Sequence, residues 1–488
     1  MADSTQDWQV DDTFEVSVGP VAHGGHCVAR HEGRVMFVRH ALPGERVVAR
    51  ITGIGKGGRF VQADADTILE TSPHRVQPPC PYAGPGRCGG CDFQHVDLSA
   101  QRDLKTAVVH EQFQRLAGID LLEHLGRDIT CEAMPGEVDG LGWRTRVEFA
   151  VDHGGRAGLR RHHSHELVPL DDCLIAHPAL NAARVLSRRY PRTQSVDVVG
   201  ASSGVVRVDI PRVVPGVAPE RTRNAPGNDT QDNHNQGNDT QDNDTQDNHN
   251  QDNDTQDNDT QTNDNQTNDT QGNTAQTHDA QGGVAEVPTV TEEVMLPGGQ
   301  ASFELSARGF WQVHPDAAQT FAHTAISFLN PRPGERALDL YAGVGLFAAA
   351  LAQAVGRRGR VMAVETDRRA VQDARGNLVS WPHARVRAGR VDRAVRDMAR
   401  SHVKTDLVVL DPPRVGAGKA VLRDVALLGP RAVVYVACDP AALARDTAYL
   451  KDLGWTLVDL RIFDAFPMTH HVECLAHFEP VRETRNVG

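Results

Sequence analysis

The chain has 488 residues, of which 39% are hydrophobic and 5% aromatic, and it carries a formal net charge of −13. This length suffices for two to four domains with cores of their own, and no apolar run approaches the roughly 18 residues that a membrane span requires. The first residues, MADSTQDWQVDD, lack the basic and then apolar layout of a secretory signal, so we expect a cytoplasmic protein without a membrane segment.

The negative charge is concentrated in one low-complexity tract. Thirteen Asp lie between Asn228 and Asp279 in repeats of the NDTQDN type, and no Lys or Arg occurs between Arg223 and Arg308. Because the excess of acids over bases in the whole chain is also thirteen, the remainder is balanced and compatible with a nucleic-acid partner. The tract has almost no apolar residues to bury, which predicts a disordered insertion over 224–285.

The predicted elements begin with a small β-barrel over residues 11–72. Short apolar or alternating runs, FEVSV, VMFV and RVVARI, are separated by the glycine-rich turns GPVAHGGHCV and GIGKGGR, a pattern typical of a barrel of short strands. The order of these glycines and of the ALPGE turn resembles the TRAM domain, an RNA-binding barrel. Spacing alone fits a structural barrel without a ligand equally well.

A cysteine-rich segment opens the predicted central domain, residues 73–310. Cys80, Cys88 and Cys91 form a C-x7-C-x2-C array, and Cys173 follows much later in DDCLIA. Clustered thiols in an intracellular chain favour a metal site over disulfides. A structural zinc site usually has two close-spaced pairs, whereas three clustered thiolates and a distant one suit an iron–sulfur cube equally well. The spacing therefore leaves the metal open.

The remainder of the central domain is predicted to be α+β with an antiparallel sheet. In RTRVEFAV, Val147, Phe149 and Val151 share one face, and Arg144 and Arg146 lie on the other. An outer face that bears arginines could follow RNA phosphates. An ordinary solvated face fits the same pattern.

Residues 311–488 alternate strands with helices, which predicts an α/β, Rossmann-like domain whose ligand lies at the carboxyl ends of the strands. RALDLYAGVGLF is a buried strand, a turn at Gly343 and Gly345 and a helix, and RVMAVE is a second strand that ends in Glu365. Glycines let the backbone approach a ligand, and an acid after the second strand can hold ribose hydroxyls. The D-x-x-x-G-x-G spacing resembles motif I of class I methyltransferases that use S-adenosylmethionine.

Two further strand ends carry residues for covalent chemistry on a pyrimidine. DPPR begins at Asp411, Cys438 follows a strand in YVACDP, and Glu473 lies near the last strand in HHVECLAHF. C5 of uracil is a poor nucleophile, but a thiolate that adds to C6 makes C5 enolate-like, so that it can attack a methyl sulfonium. A base must then remove the C5 proton before the thiol leaves. Cys438 and Glu473 are the predicted nucleophile and base.

With these motifs, nearly the whole chain outside the tract resembles the RNA uracil-5-methyltransferase family, which modifies 23S rRNA and, in other branches, position 54 of tRNA. The resemblance implies that Cys438 and Glu473 catalyse the reaction and that a [4Fe-4S] cluster is bound by Cys80, Cys88, Cys91 and Cys173. The positions that correspond to the family's S-adenosylmethionine contacts are Gln312 of an F-x-Q-x-[NH] motif, Tyr341, Gly343, Glu365 and Asp411.

The chain also departs from the family's motifs at several positions. Leu346 replaces a polar residue after the glycine turn, and Asp439 stands where Asn is commoner. Arg390 lies where an acid or Asn often faces the adenine, with Asp392 nearby as a substitute. The expected contacts on the adenine side are therefore less complete than the catalytic motifs.

The expected partner is RNA, with 23S rRNA favoured over tRNA because a TRAM-like barrel and a cluster occur together. No obligate protein partner is indicated. Two other functions stand beside this one. A non-catalytic RNA-binding protein would not need the intact Cys438 and Glu473, and a methyltransferase for another base or for protein would not need a covalent thiol adduct.

Overall fold

A computed structural model of the protein describes residues 8–162, 164–212 and 287–481. The insertion predicted over 224–285 lies outside the described residues. No helix in the described part of the chain is long and apolar enough to cross a membrane.

The N-terminal strands close into a five-stranded barrel, as the sequence predicts. Its strands are β1 (Thr13–Val21), β2 (Cys27–His31), β3 (Arg34–Arg39), β4 (Arg46–Ile54) and β5 (Phe60–Glu70), with a 3-10 turn at Lys56–Gly58. Their order is β1-β2-β3-β5-β4, and pairing of β1 with β4 closes the barrel. Val47, Ala49 and Ile51 are buried inside it, because alternate side chains of a strand point to the same face.

Irregular chain then leads from the barrel through the cysteine array to a helical segment. Its elements are α1 (Leu98–Gln112), a π-helical turn (Phe113–Ala117), α2 (Leu121–Leu125) and the short strand β6 (Cys131–Ala133). Asp97 begins α1 by accepting a hydrogen bond from the backbone N–H of Ala100, at 3.0 Å, which satisfies one of the free donors of the first turn.

The central antiparallel sheet has the strand order β11-β10-β7-β8-β9. Its elements are β7 (Arg146–Val151), β8 (Ala157–Arg160), β9 (Leu167–Pro169), α3 (Pro178–Ala182), β10 (Thr193–Ala201) and β11 (Gly204–Pro211). Val147, Phe149 and Val151 are buried, as predicted. Arg146 differs from the prediction of an outer face: it donates to Glu292 at 3.0 Å and to two backbone carbonyls. Its side chain is therefore structural and does not face solvent.

The chain after the insertion forms a separate two-stranded sheet of β12 (Thr289–Leu296) and β13 (Gly299–Ser306). Val290 and Phe303 are fully buried and share an apolar core with Phe321 and Phe347 of the C-terminal region. The second half of the predicted central domain thus packs its apolar face into the C-terminal core.

The C-terminal sheet has eight strands in the order β16-β15-β14-β17-β18-β20-β19-β6. Its elements are α4 (Ala317–Leu329), β14 (Arg336–Leu340), α5 (Leu346–Val355), β15 (Arg360–Glu365), α6 (Arg368–Asn377), β16 (Ala384–Ala388), α7 (Val391–Arg400), β17 (Leu407–Leu410), α8 (Gly418–Leu427), β18 (Ala432–Ala437), α9 (Pro440–Asp452), β19 (Trp455–Asp464) and β20 (Glu473–Pro480). Strands β14 to β18 are parallel, and β20 is antiparallel to both neighbours. Every residue of β17 and β18 is buried, as expected for parallel strands covered on both faces.

Candidate active site

Five of the predicted site residues lie at one edge of the C-terminal sheet. Tyr341, Glu365, Asp411 and Cys438 stand at or directly after the carboxyl ends of β14, β15, β17 and β18, and the antiparallel strand β20 begins with Glu473 at the same edge. Open α/β sheets bind their ligands at this edge. The topology therefore brings together the residues that the sequence assigned to cofactor and to catalysis.

The glycine turn after β14 is fixed by a hydrogen bond to an acidic residue of the next strand. The backbone N–H of Gly343 donates to Oε2 of Glu365 at 2.8 Å, and Oε1 accepts from Thr366 and Asp367. Tyr341 has a φ of +64° and Gly343 one of +52°; the first value is uncommon for a residue with a side chain and recurs at ligand sites. A Cβ built on Gly343 would meet no atom within 4 Å, so there is space for a ligand.

Three carboxyl groups surround this turn. Burial, together with the charges of Asp411 and Glu365, raises the pKa of Asp339 to about 8, although the backbone N–H of Ala348 donates to its Oδ2. Burial and the charge of Glu365 raise the pKa of Asp411 to about 7. Carboxyl groups in this situation gain from a cationic ligand, because it favours their charged form.

The segment between β13 and α4 carries Gln312, whose side chain is buried. Thr145 fixes this segment by donating its backbone N–H and its hydroxyl to the carbonyl of Val313, each at 2.9 Å. Trp311 lies in the same apolar cluster as Ala342 of the glycine turn. His314 is stacked on Trp143 with ring centroids 6.2 Å apart, and burial lowers its pKa.

The departures on the adenine side have a structural counterpart. Arg390 and Asp392 form a two-point ion pair, with Nε to Oδ1 at 3.0 Å and Nη2 to Oδ2 at 3.1 Å. Asp392 therefore neutralises the arginine that replaces an acid or Asn. Leu346, the first residue of α5, is buried and offers no polar group to a ligand.

Cys438 and Glu473 both adjoin the last paired residues of two neighbouring strands. Ala437 of β18 pairs with Cys474 of β20; Cys438 directly follows the first of these residues, and Glu473 directly precedes the second. Burial is the main cause of the raised pKa of the Cys438 thiol, and the charge of Glu473 adds to it. Burial and Asp411 raise the pKa of Glu473, while Arg414 opposes the shift.

The loop before Glu473 is anchored by residues that the sequence did not single out. The backbone N–H groups of Asp92 and Phe93 donate to the carbonyl of Met468 at 3.0 and 2.9 Å, and the N–H of Met468 donates to Gln101 at 2.8 Å. Lys105, fully buried on α1, forms an ion pair with Asp464 at the end of β19. The cysteine segment and α1 thus hold the loop that precedes the predicted base.

The four predicted cluster ligands come from two segments that hydrogen bonds hold together. The backbone N–H of Gly89 donates to the carbonyl of Arg160 at 3.0 Å, and Tyr82 donates to Asp171 at 2.9 Å. Cys80, Cys88, Cys91 and Cys173 are free thiols. Within the described ranges no three His, Cys, Asp or Glu side chains form a group that could hold a single metal ion.

Comparisons with known proteins assign the family. Residues 283–479 match the family model described as tRNA (Uracil-5-)-methyltransferase, and residues 7–56 match the TRAM domain. A protein of Streptomyces coelicolor named as an uncharacterized RNA methyltransferase is 44% identical over 96% of this chain and 93% of its own length. Another, from Streptomyces avermitilis, is 43% identical over 96% of this chain and 98% of its own length.

Among solved structures, the tRNA (uracil-54, C5)-methyltransferase of Pyrococcus abyssi, in complex with S-adenosyl-L-homocysteine, has a TM-score of 0.60 to this chain. The match covers 95% of this chain and 100% of that one, and at 18% sequence identity it concerns the fold. The relatives above 40% identity extend over nearly the whole sequence, and this chain therefore belongs to the RNA (uracil-5-)-methyltransferase family of S-adenosylmethionine-dependent enzymes.

Proposed function

We propose that the protein methylates C5 of a specific uridine in RNA, with 23S rRNA as the favoured substrate, through a covalent bond between Cys438 and C6 of the base. The observation that carries this proposal is that Cys438 and Glu473 directly adjoin the paired residues Ala437 and Cys474 at the ligand-binding edge of the sheet. A thiol near a buried carboxyl group suits a reaction that needs a nucleophile first and a base afterwards.

In the proposed reaction the Cys438 thiol first gives its proton to solvent; the thiolate sulfur then forms a bond to C6, and the electron pair of the C5–C6 double bond moves toward C5 and the O4 carbonyl. S-adenosylmethionine, when bound, would supply the methyl group to C5 and leave as S-adenosylhomocysteine. Glu473 then takes the C5 proton, the double bond re-forms, and the sulfur leaves C6. A buried carboxylate with a raised pKa is a stronger base than a solvated one, which suits it to this proton.

The residues around the glycine turn fit S-adenosylmethionine. We assign Glu365 to the ribose hydroxyls, the open space at Gly343 to close backbone approach, and Gln312, Tyr341 and Asp411 to further contacts. The acid group of Asp339, Glu365 and Asp411 favours a ligand that carries positive charge. Such an enzyme is expected to work in the cytoplasm, where RNA and the cofactor are present.

The cysteines fit a [4Fe-4S] cluster on the chemistry of the donor set. Burial raises the pKa of Cys88 to about 11, and the nearby thiols of Cys173 and Cys80 add to the shift; Cys91 is affected by Cys173 and Cys88 in the same way. These electrostatic effects support a shared site for the four thiols. Each thiolate of a cube binds a different iron, so a cluster needs them close but not in contact. The bound cluster would crosslink the cysteine segment to the chain around Cys173.

For the substrate, the TRAM domain and the clustered cysteines support 23S rRNA, whereas the neighbour of the same fold from Pyrococcus abyssi is named for uridine 54 of tRNA. Transcripts of 23S rRNA and of tRNA, labelled with tritium at C5 of uridine, separate these possibilities. We expect cofactor-dependent release of tritium from the rRNA transcript. Release from tRNA alone would reverse the substrate assignment, and release from neither would contradict C5 methylation.

A further inference from the structure

The tip of the barrel hairpin between β1 and β2 touches the turn that follows Cys438. Nε2 of His23 lies 3.1 Å from Oδ2 of Asp439, and both side chains are mostly buried. The other oxygen of the same carboxylate, Oδ1, accepts the backbone N–H of Ala442 at 2.7 Å and thereby caps the start of α9. One carboxylate therefore joins the barrel to the helix start beside Cys438.

The same hairpin also packs against the loop before Glu473. Gly25 has a φ of +78°, and a Cβ built on it would lie 2.5 Å from Cβ of His470. This distance excludes any side chain at Gly25, so the hairpin backbone lies directly on the loop. The hairpin tip thus contacts the chain next to both residues of the predicted catalytic pair.

A second connection from the barrel reaches that loop through the cysteine segment. Arg39 at the end of β3 donates to Oδ1 of Asp92 at 3.1 Å, and Oδ2 of Asp92 lies 2.6 Å from Nδ1 of His470. The contact of His23 with Asp439 is therefore one of several that fix the barrel on the catalytic face, and it reaches the nucleophile's own turn.

We propose that His23 is a positioning residue for Cys438: by holding Asp439 from outside the sheet, it fixes the turn that sets the direction of the thiol. This inference rests on the proposed function, in which Cys438 is the nucleophile. A turn held from two sides has fewer conformations in which the sulfur points away from the base.

The charge of Asp439 gives the contact a second effect. Burial chiefly raises the pKa of the Cys438 thiol, and the Asp439 carboxylate adds to the rise because it opposes a thiolate next to it. A hydrogen bond from His23 draws charge away from this carboxylate, whose own pKa is lowered by the contact against the effect of burial. Without His23, more of the negative charge of Asp439 would act on the thiolate.

The test uses a matched control that the chain itself provides. Asp97 caps α1 as Asp439 caps α9, and Nδ1 of His74 lies 2.9 Å from its Oδ2. His74→Ala therefore removes a similar histidine–aspartate contact at the start of another helix. His23→Ala removes the contact under test, and His23→Gln retains an N–H donor of similar reach.

The measurement is the single-turnover rate of covalent adduct formation by the full-length protein with S-adenosylmethionine and a 23S rRNA transcript made with 5-fluorouridine. We expect His23→Ala to lower the rate at saturating RNA by about 10- to 100-fold, the range for a reacting group misplaced by about 1 Å. His23→Gln should recover most of the rate, and His74→Ala should match the wild type. The dissociation constants for RNA and cofactor should stay within about twofold, because neither ligand loses a ground-state contact.

A His23→Ala rate equal to that of His74→Ala would overturn the inference, as would weaker RNA binding with an unchanged limiting rate. If the alanine variant unfolds, the comparison moves to His23→Gln and His23→Leu, which fill similar space but differ in the donor; equal rates would again overturn it. A wild-type protein that forms no adduct, like Cys438→Ala, would instead overturn the proposed function on which the inference rests.

Discussion

The two halves of the ligand-binding edge are held by different parts of the chain. On the cofactor side, Gly343 is fixed by Glu365 and Asp339 by Ala348, all within one βαβ unit. On the catalytic side, the loop before Glu473 is held by Lys105 of α1 together with residues of the barrel and the cysteine segment. The glycine turn of the cofactor half is thus assembled locally, whereas the catalytic half depends on segments more than 300 residues away in sequence.

Because of this difference, we expect substitutions to affect the covalent step and cofactor binding separately. Changes in the barrel or the cysteine segment should affect the covalent step more than cofactor binding, because their contacts end on the loops beside Cys438 and Glu473. Changes at the glycine turn should affect cofactor binding more than the covalent step.

Cys438→Ala should give the largest effect, loss of both the methylated product and the covalent complex with RNA, since the proposed reaction takes its C6 nucleophile from this residue. Binding of S-adenosylmethionine, measured by calorimetry, should remain near the wild-type value because the cofactor half is intact. Cys474→Ala, a buried thiol on the neighbouring strand, is the matched control and should retain activity. A labelled covalent band from Cys438→Ala would show that the nucleophile is elsewhere.

Glu473→Gln should stop the reaction one step later. The variant should still attack and methylate the base, but loss of the proton acceptor should slow release by about 10²- to 10⁴-fold. The observable is a denaturant-resistant protein–RNA band that carries label from the cofactor methyl group. Glu479→Gln changes an acid near the other end of β20 and should turn over normally. If Glu473→Gln accumulated no band and retained turnover, another residue would be the base.

The elements that could be predicted from the sequence are those with a local pattern. The barrel was predicted from alternating runs and glycine turns, and β17 and β18 from continuous apolar runs between helices. β6 was not predicted, because its three residues pair with β19 across more than 300 residues. β16 was also missed, since its sequence ARVRA alternates charged with small residues at the sheet edge.

The residues of the candidate site also fall into those that a local pattern predicts and those that it does not. Cys438 and Glu473 could be located because each stands at a strand end, where the sheet topology brings ligand-binding residues together. His23 and Lys105 could not, because nothing near them in sequence indicates their partners Asp439 and Asp464. Arg146 was predicted to lie on the outer face of the sheet for a related reason: its partner Glu292 follows 146 residues later. When the partner of a polar residue is distant in sequence, the neighbouring residues do not indicate which contact it makes.

Cys88→Ser tests whether the cysteine segment supports the catalytic half. The variant should lose the iron and the broad visible absorbance that we expect of the anaerobically reconstituted protein. Because Asp92 and Phe93, which hold Met468, directly follow the array, adduct formation should fall by about tenfold, as for a displaced reacting group. Cofactor affinity should hardly change.

Cys131→Ala, a buried thiol outside the array, should keep both iron and rate. Stoichiometric zinc without iron in the wild type would contradict the cluster. A Cys88→Ser variant that loses iron but keeps the adduct rate would contradict the structural dependence of the catalytic half on this segment.

The smallest effect is expected on the cofactor side, as a pH dependence. The pKa of Asp411 is raised to about 7, so its carboxyl group is largely neutral at pH 6 and becomes charged as the pH rises. A cation favours the charged form, and affinity for S-adenosylmethionine should therefore increase between pH 6 and 7.5 by up to about tenfold, the equivalent of one pKa unit. Calorimetric titrations at constant ionic strength measure this slope.

Asp411→Asn cannot ionise and should bind the cofactor with the low-pH affinity throughout this range, whereas Asp406→Asn, at the other end of the same strand, should keep the slope. S-adenosylhomocysteine lacks the sulfonium charge, so its affinity should change less with pH if the slope arises from charge rather than from shape. Equal slopes for the two ligands would mean that Asp411 responds to burial by the ligand and not to its charge. A slope retained by Asp411→Asn would move the titration to Asp339, whose pKa is raised chiefly by burial and further by its carboxyl neighbours.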